Sequence, residues 1–175
     1  RVYGMGTKWI SRHVYELDAA NPLTMSYLIN VAARWFPGTN LHLIYRGHSF
    51  YPAYNPVTKS GVLNPIVPFD YNNKSSPYGL NIFVESIRRS LIKRPFDSIT
   101  LANCSMAYLG VAEELSPFAK WLVASQVDVL ETWYYGFDYS FLSRVAWNMS
   151  REEVVHEISA SLLSRFELGR DQEDT

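Results

Sequence analysis

The sequence predicts an α/β protein in which helices flank a mainly parallel sheet. Two short runs of β-branched and aromatic residues, 41–47 and 96–103, have the apolar composition of buried strands. A further strand is predicted at 2–7, and amphipathic helical segments separate the three. Alternation of strand and helix gives right-handed crossovers and a parallel sheet covered on both faces. We therefore expect a three-layer sandwich whose strands end at a common edge.

Length and composition limit the classes of protein that this chain can represent. With 175 residues, 47% of them hydrophobic, it is long enough for one sizeable core, so a single domain over 1–175 is expected. A net charge of -1 with interspersed signs gives no basic surface for nucleic acid. No apolar stretch approaches the roughly 20 residues that span a bilayer, so we expect no membrane partner. One cysteine excludes an internal disulfide and fits either a reducing compartment or a secreted enzyme with one reactive thiol.

The first helix has clear signals at both of its ends. Asn21 is a good capping residue and Pro22 suits the first helical position, while Pro37-Gly38 ends the helix. Apolar side chains recur at helical spacing along one face. These residues are Leu23, Tyr27, Leu28, Val31 and Trp35.

A second amphipathic helix is predicted over about 79–93, directly before the second apolar strand. Its inward positions are Leu80, Phe83, Val84, Ile87 and Leu91. The segment 49–78, rich in Pro, Asn, Gly, Ser and Tyr, is too long for a simple connection. Because it follows the carboxyl end of a strand, we expect it to help form a site.

The C-terminal part predicts a helix at 107–115, a strand at 121–124 and an aromatic loop at 125–138. A last helix opens with Ser150 and Glu153, which have the spacing of a capping box, and Gly169 is expected to end it. Its apolar stripe comprises Val154, Val155, Ile158, Leu162 and Phe166.

Two chemically capable residues follow the two apolar strands. His48 comes after the first strand and Cys104 after the second, and catalysts in open parallel sheets lie just beyond the carboxyl ends of such strands. A neighbouring imidazolium stabilises a thiolate, which is a nucleophile. The alternative for Cys104 is a small buried hydrophobe, the commonest environment of free cysteine. None of His13, His42 and His156 has a second ligand at zinc-like spacing, so no metal site is expected.

Four segments together resemble the clostripain-like cysteine peptidases of the caspase-type superfamily. They are Asn21–Ile29, Leu43–His48, Phe96–Met106 and Val111–Gln126. The resemblance implies a caspase-like three-layer sandwich and a catalytic dyad, with His48 as acid and base and Cys104 as nucleophile. It also implies that the backbone N–H groups of Ser49 and Cys104 stabilise the oxyanion.

The resemblance further implies which positions border a peptide or protein substrate. They are Ala102, Ser125, Trp133 and Tyr134. Relatives that cleave after arginine or lysine carry an aspartate two positions before the cysteine, where this chain has Ala102. A preference for basic residues is therefore not expected. The same region contains three other acidic residues that are alternative partners for a basic substrate side chain: Asp128, Glu131 and Asp138.

Three departures from the family pattern leave alternatives open. Ser49 stands where the family has glycine, Gly110 stands where it has glutamate, and its first strand is missing before Arg1, so another chain or segment is expected to complete the domain. The main hypothesis is a cysteine endopeptidase. The alternatives are an inactive homologue that acts as a peptide-binding or effector module, and a cysteine hydrolase of another class.

Cofactor and compartment are less well defined by the sequence. No cofactor is expected; the family sometimes uses calcium, which cannot be assigned to particular residues here. The sequence leaves the compartment open, and a secreted or cell-envelope bacterial protein is the favoured expectation.

Overall fold

A computed structural model describes most of the core of the chain. The described residues are 2–3, 9–10, 21–37, 40–46, 66–67, 78–126, 139–146 and 148–173. In chain order the elements are β1 (Val2–Tyr3), β2 (Trp9–Ile10), α1 (Pro22–Trp35), β3 (His42–Arg46), β4 (Ile66–Val67), β5 (Tyr78–Gly79), α2 (Leu80–Arg88), β6 (Phe96–Ala102), α3 (Leu109–Leu115), β7 (Ala119–Ala124), a 3-10 helix (Tyr139–Ser143) and α4 (Arg151–Glu173).

A three-stranded parallel sheet forms the centre of the fold. Its order is β3-β6-β7, with His42 opposite Ser98 at one end of the first pair and Arg46 opposite Ala102 at the other. All seven residues of β6 are buried, as expected of a central strand covered on both faces. The predicted α/β architecture with a mainly parallel sheet is confirmed.

Two apolar clusters cover the two faces of this sheet. The larger joins α1, α2 and α3 to the sheet through residues such as Phe83, Ile99 and Val111. On the opposite face, α4 and the 3-10 helix pack through Phe141 and Ile158. The helices therefore lie on both sides of the sheet, and the three layers agree with the sandwich expected from the sequence.

Two short antiparallel pairs lie apart from the parallel sheet. Of the strand predicted over 2–7, the structure describes Val2–Tyr3, which pairs antiparallel with Trp9–Ile10. Residues 4–7 lie outside the described residues. β4 pairs with β5, also in antiparallel orientation. β4 lies within the segment 49–78 that the sequence predicts to help form a site, and β5 begins at its last residue. The rest of that segment lies outside the described residues.

The predicted inner face of α1 is wrong. Asn21 caps the helix as expected, its side chain accepting the Leu23 N–H at 2.9 Å. The buried residues, however, are Met25, Ser26 and Ile29, whereas Leu23, Tyr27, Leu28 and Trp35 are about half exposed. The Ser26 hydroxyl donates to the Ser86 carbonyl at 2.7 Å, and this buried hydrogen bond orients a polar residue toward α2. Apolar spacing alone could not reveal that contact.

The second helix is shorter than predicted, and one residue that was predicted to face inward is exposed instead. Leu80, Phe83, Val84 and Ile87 are buried as expected, but α2 ends at Arg88. Leu91 therefore no longer follows the helical periodicity, and its side chain is 54% exposed.

The last helix begins as predicted and ends later. The Ser150 N–H donates to the Glu153 carboxylate at 2.7 Å, and the Glu153 N–H donates to the Ser150 hydroxyl at 3.2 Å, so the capping box is confirmed. Gly169 does not end the helix, which continues to Glu173. Across the described residues, no helix is both long and apolar enough to cross a membrane.

Candidate active site

The carboxyl ends of β3 and β6 meet at one edge of the sheet, because the two strands are parallel and in register. The last pair is Arg46 with Ala102, and Cys104 lies two residues beyond Ala102. Paired residues are 56 positions apart along the chain, as in the His42–Ser98 pair. His48 and Cys104 have the same separation. His48 and Ser49 themselves lie outside the described residues.

Cys104 is the one residue in the stretch Phe96–Met106 that is not buried. Asn103 before it and Ser105 after it are almost inaccessible, with exposed fractions of 1% and 2%. Cys104 is therefore partly exposed, while both of its neighbours in the chain are buried. A buried chain that brings one side chain to the surface can hold a nucleophile in a fixed position.

The turn after Cys104 has an unusual backbone and a firm anchor. Ser105 adopts φ 51°, in the left-handed region that residues other than glycine seldom occupy. Two residues later, the Ala107 N–H donates to the Ser125 carbonyl at 2.8 Å. This hydrogen bond joins the cysteine turn to the residue that follows β7, so Ser125 lies close to the turn that carries Cys104.

Ala102 lies in an apolar cluster on the α4 side of the sheet. Its side chain is fully buried, and the other buried members of the cluster are Phe141, Val154, Ile158 and Leu162. Ala102 therefore places a methyl group among hydrocarbon at the end of β6 and offers no carboxylate there.

Asn103 places a polar group directly beside the cysteine. Neither its amide nitrogen nor its amide oxygen has a hydrogen-bond partner among the described residues, although both atoms are buried. Burying an amide without hydrogen-bond partners costs about 1 to 3 kcal/mol of folding free energy, so packing alone does not account for Asn103 at the position before Cys104.

A second polar cluster lies at the opposite end of the sheet. The buried Asp97 carboxylate accepts the Leu41 N–H at 2.9 Å and pairs with Lys120 at 3.2 Å and Arg151 at 3.0 Å. Burial, the largest single effect, raises the pKa of Asp97, but these partners together lower it below its usual value. The cluster ties β3, β6, β7 and α4 together at the end away from Cys104.

His42 belongs to this second cluster and not to the candidate site. Its Nδ1 lies 2.8 Å from the Ser98 hydroxyl, and burial lowers its pKa more than the nearby Asp97 raises it. His42 therefore lies in the polar cluster at the end of the sheet away from Cys104.

Comparison with known protein families shows which family this chain belongs to. The model of the clostripain family, a peptidase family, matches residues 7–170. The chain belongs to the clostripain family. No curated protein and no solved structure gives a significant match. The clostripain-family resemblance seen in the four sequence segments is thereby confirmed.

Of the site residues predicted from the clostripain-family pattern, the structure describes three. Cys104, Ala102 and Ser125 lie together at the carboxyl edge of β6 and β7. His48, Ser49, Trp133 and Tyr134 lie outside the described residues, as do Asp128, Glu131 and Asp138. Within the described ranges, no group of three His, Cys, Asp or Glu side chains could hold a metal ion.

Sequence reasoning missed one further residue at this edge and two on the α4 side of the sheet. Arg46 is the exposed last residue of β3, and Tyr139 and Phe141 come from the 3-10 helix. Phe141 belongs to the same buried apolar cluster as Ala102. The register of β3 with β6 could have indicated Arg46, but a five-residue 3-10 helix leaves no periodic pattern in the sequence.

Proposed function

We propose that this member of the clostripain family is a cysteine endopeptidase with Cys104 as nucleophile and His48 as acid and base. The observation that carries the proposal is the parallel register of β3 and β6, whose 56-position offset equals the separation of the two residues. Continuing the two strands by two residues would bring the imidazole and the thiol to the same edge. The partial exposure of Cys104 within a buried stretch supports the same role.

The chemistry follows from these two groups. His48 accepts the thiol proton, and the Cys104 thiolate attacks the carbonyl carbon of the scissile peptide bond. The resulting imidazolium donates its proton to the leaving amine, so that the C–N bond breaks and a thioester remains. Water, deprotonated by His48, then hydrolyses the thioester, releases the acid product and restores the thiol.

Two backbone N–H groups, those of Ser49 and Cys104, are proposed to bind the oxyanion formed in both steps. Ser105 supports this role for the Cys104 N–H, because its left-handed backbone turns the chain sharply after the nucleophile. Removing one oxyanion donor typically lowers the rate by about 10²-fold or more.

The substrates are proposed to be peptides without a required basic residue at the cleavage site. Ala102 is fully buried in an apolar cluster and offers no carboxylate to a lysine or arginine side chain. Ser125, next to the cysteine turn, and the predicted Trp133 and Tyr134 are proposed to contact the peptide.

Turnover of a random peptide library by wild type, Cys104→Ala, His48→Ala and the control His156→Ala tests the proposal. His156 is exposed on α4, so its removal should leave the rate unchanged. Loss of Cys104 or His48 should lower turnover at least about 10³-fold. Equal turnover by Cys104→Ala and wild type would exclude the thiol as nucleophile. Binding of peptides without turnover by any variant would favour the inactive binding module instead.

A further inference from the structure

Arg46 brings a positive charge to the edge of the sheet where Cys104 lies. It is the exposed last residue of β3 and pairs in register with Ala102. Alternate residues of a strand share a face. Ile44 packs against the cluster that contains Ala102, so Arg46 lies on that same face of the sheet, over the α4 side.

The guanidinium of Arg46 has no acidic partner among the described residues. The ion pairs that the described carboxylates form lie elsewhere in the molecule. Asp97 forms its ion pairs at the far end of the sheet, Glu85 forms its pairs within the α2 region, and Glu157 pairs with Arg144 at 2.7 Å. Ala102 carries a methyl group and no carboxylate, and its partner in β3 carries a guanidinium.

A second hydrogen-bond donor lies near this guanidinium. The 3-10 helix begins at Tyr139, and its Phe141 belongs to the same apolar cluster as Ala102 and Ile44, on the face of the sheet where Arg46 lies. Burial, the larger effect, raises the pKa of Tyr139, whereas the charge of Arg46 lowers it, as expected for a phenol close to a guanidinium. The Tyr139 side chain is 47% exposed.

We propose that Arg46, together with the Tyr139 hydroxyl, binds the carboxylate of an acidic substrate side chain next to the scissile bond. A guanidinium offers paired N–H donors that match the two oxygens of a carboxylate. Ala102 leaves this position without a competing negative charge. The substrates are therefore peptides with aspartate or glutamate at the cleavage site, an inference that rests on the proposed peptidase function.

Matched peptides that differ only at the cleavage-site residue test this specificity. We expect wild type to cleave the aspartate or glutamate peptide about 10- to 100-fold more efficiently than the asparagine or glutamine peptide, in kcat/KM. Arg46→Gln should abolish most of this ratio while retaining cleavage of the neutral peptides, and Arg46→Lys should restore part of it. Arg34→Gln, which removes an exposed charge on α1, is the control and should keep the full ratio.

A binding measurement separates this inference from the peptidase assignment. Cys104→Ala should bind the acidic peptide more tightly than the neutral one in fluorescence anisotropy, and the double variant with Arg46→Gln should not. Turnover by wild type with no acidic preference would overturn the specificity and leave the peptidase proposal intact. An acidic preference in binding without any turnover would overturn the peptidase and uphold the carboxylate site. Equal affinity of Cys104→Ala for acidic and neutral peptides would overturn the carboxylate site.

Discussion

At the scale of single residues, the turn that holds Cys104 depends on Ser105. Its φ of 51° is the one positive value found for a residue other than glycine in the described part of the chain. The left-handed region costs an ordinary residue about 1 to 2 kcal/mol, and the cost is higher still for β-branched side chains. Strain of this kind tends to occur where function requires a particular backbone.

Substitution of Ser105 should therefore affect turnover according to backbone preference. We expect Ser105→Gly to retain activity within a few-fold, because glycine adopts positive φ without strain. Ser105→Thr keeps the hydroxyl but adds a β-branch, and should lower both turnover and melting temperature. Ser90→Thr adds the same methyl group at a buried position without positive φ and is the control. Full activity of Ser105→Thr would show that the turn does not position the nucleophile.

Sequence reasoning predicted the residues of this site unequally. Cys104 could be proposed because it directly follows a predicted buried strand, whereas Ala102 came only from the family resemblance. Arg46 and Tyr139 could not be proposed, since their positions depend on the strand register and on the tertiary packing of the 3-10 helix against α4. The left-handed φ of Ser105 also has no signature in the sequence, because serine is common in ordinary turns.

At the scale of elements, the start of α4 shows how local sequence fixes a boundary. Ser150 and Glu153 each accept the other's backbone N–H, and the N–H of Ser150 lowers the pKa of Glu153. We expect Ser150→Ala to cost about 1 kcal/mol of unfolding free energy, measured by urea denaturation. Ser164→Ala is the control, because its hydroxyl donates to the Ser161 carbonyl within the helix and caps nothing. Equal losses for the two variants would contradict a capping role.

Two sequence predictions, the inner face of α1 and the end of α2, are wrong because of tertiary contacts. The face of α1 was wrong because a tertiary hydrogen bond from Ser26 to α2 overrides the apolar spacing. The end of α2 was wrong because the sequence continues to favour helix after Arg88, while the Leu91 N–H bonds to the Asn30 side chain and the chain turns away. Local capping signals thus mark the starts of α1 and α4, whereas tertiary contacts determine the buried face of α1 and the end of α2.

At the scale of the whole molecule, the Asp97 cluster connects elements that are distant in sequence. The pKa of Asp97 is below its usual value of 3.8, so ionised Asp97 stabilises the fold fully above that value and progressively less as the pH falls below it. His42 acts in the same direction. Its pKa lies below 6.5, so folding favours the neutral imidazole, and this contribution decreases as the pH falls below 6.5.

Stability should therefore decrease as the solution is acidified from neutral pH. We expect Asp97→Asn to lose about 2 to 3 kcal/mol at neutral pH, since it removes the charge-assisted hydrogen bonds from Leu41 and Lys120 and the ion pair with Arg151. It should also flatten the acid-dependent part of the urea-denaturation profile. Glu85→Gln, which removes the exposed ion pairs of α2, should change stability far less. An unchanged profile in Asp97→Asn would contradict this account.

The architecture was easier to predict than these connections. Apolar strands alternating with helices were enough to give the parallel sheet and its two covered faces. The contact between Asp97 and residues of β7 and α4 joins positions 23 or more apart, and no spacing rule links them.

The rate at which iodoacetamide alkylates Cys104 near neutral pH, followed by intact mass, tests the central claim most directly. Because the chain has one cysteine, each molecule can gain a single thiol adduct. If His48 ionises Cys104, wild type and the control His156→Ala should react at the same rate, at least about 10-fold faster than His48→Ala. Equal rates in all three proteins would show that the imidazole does not activate the thiol.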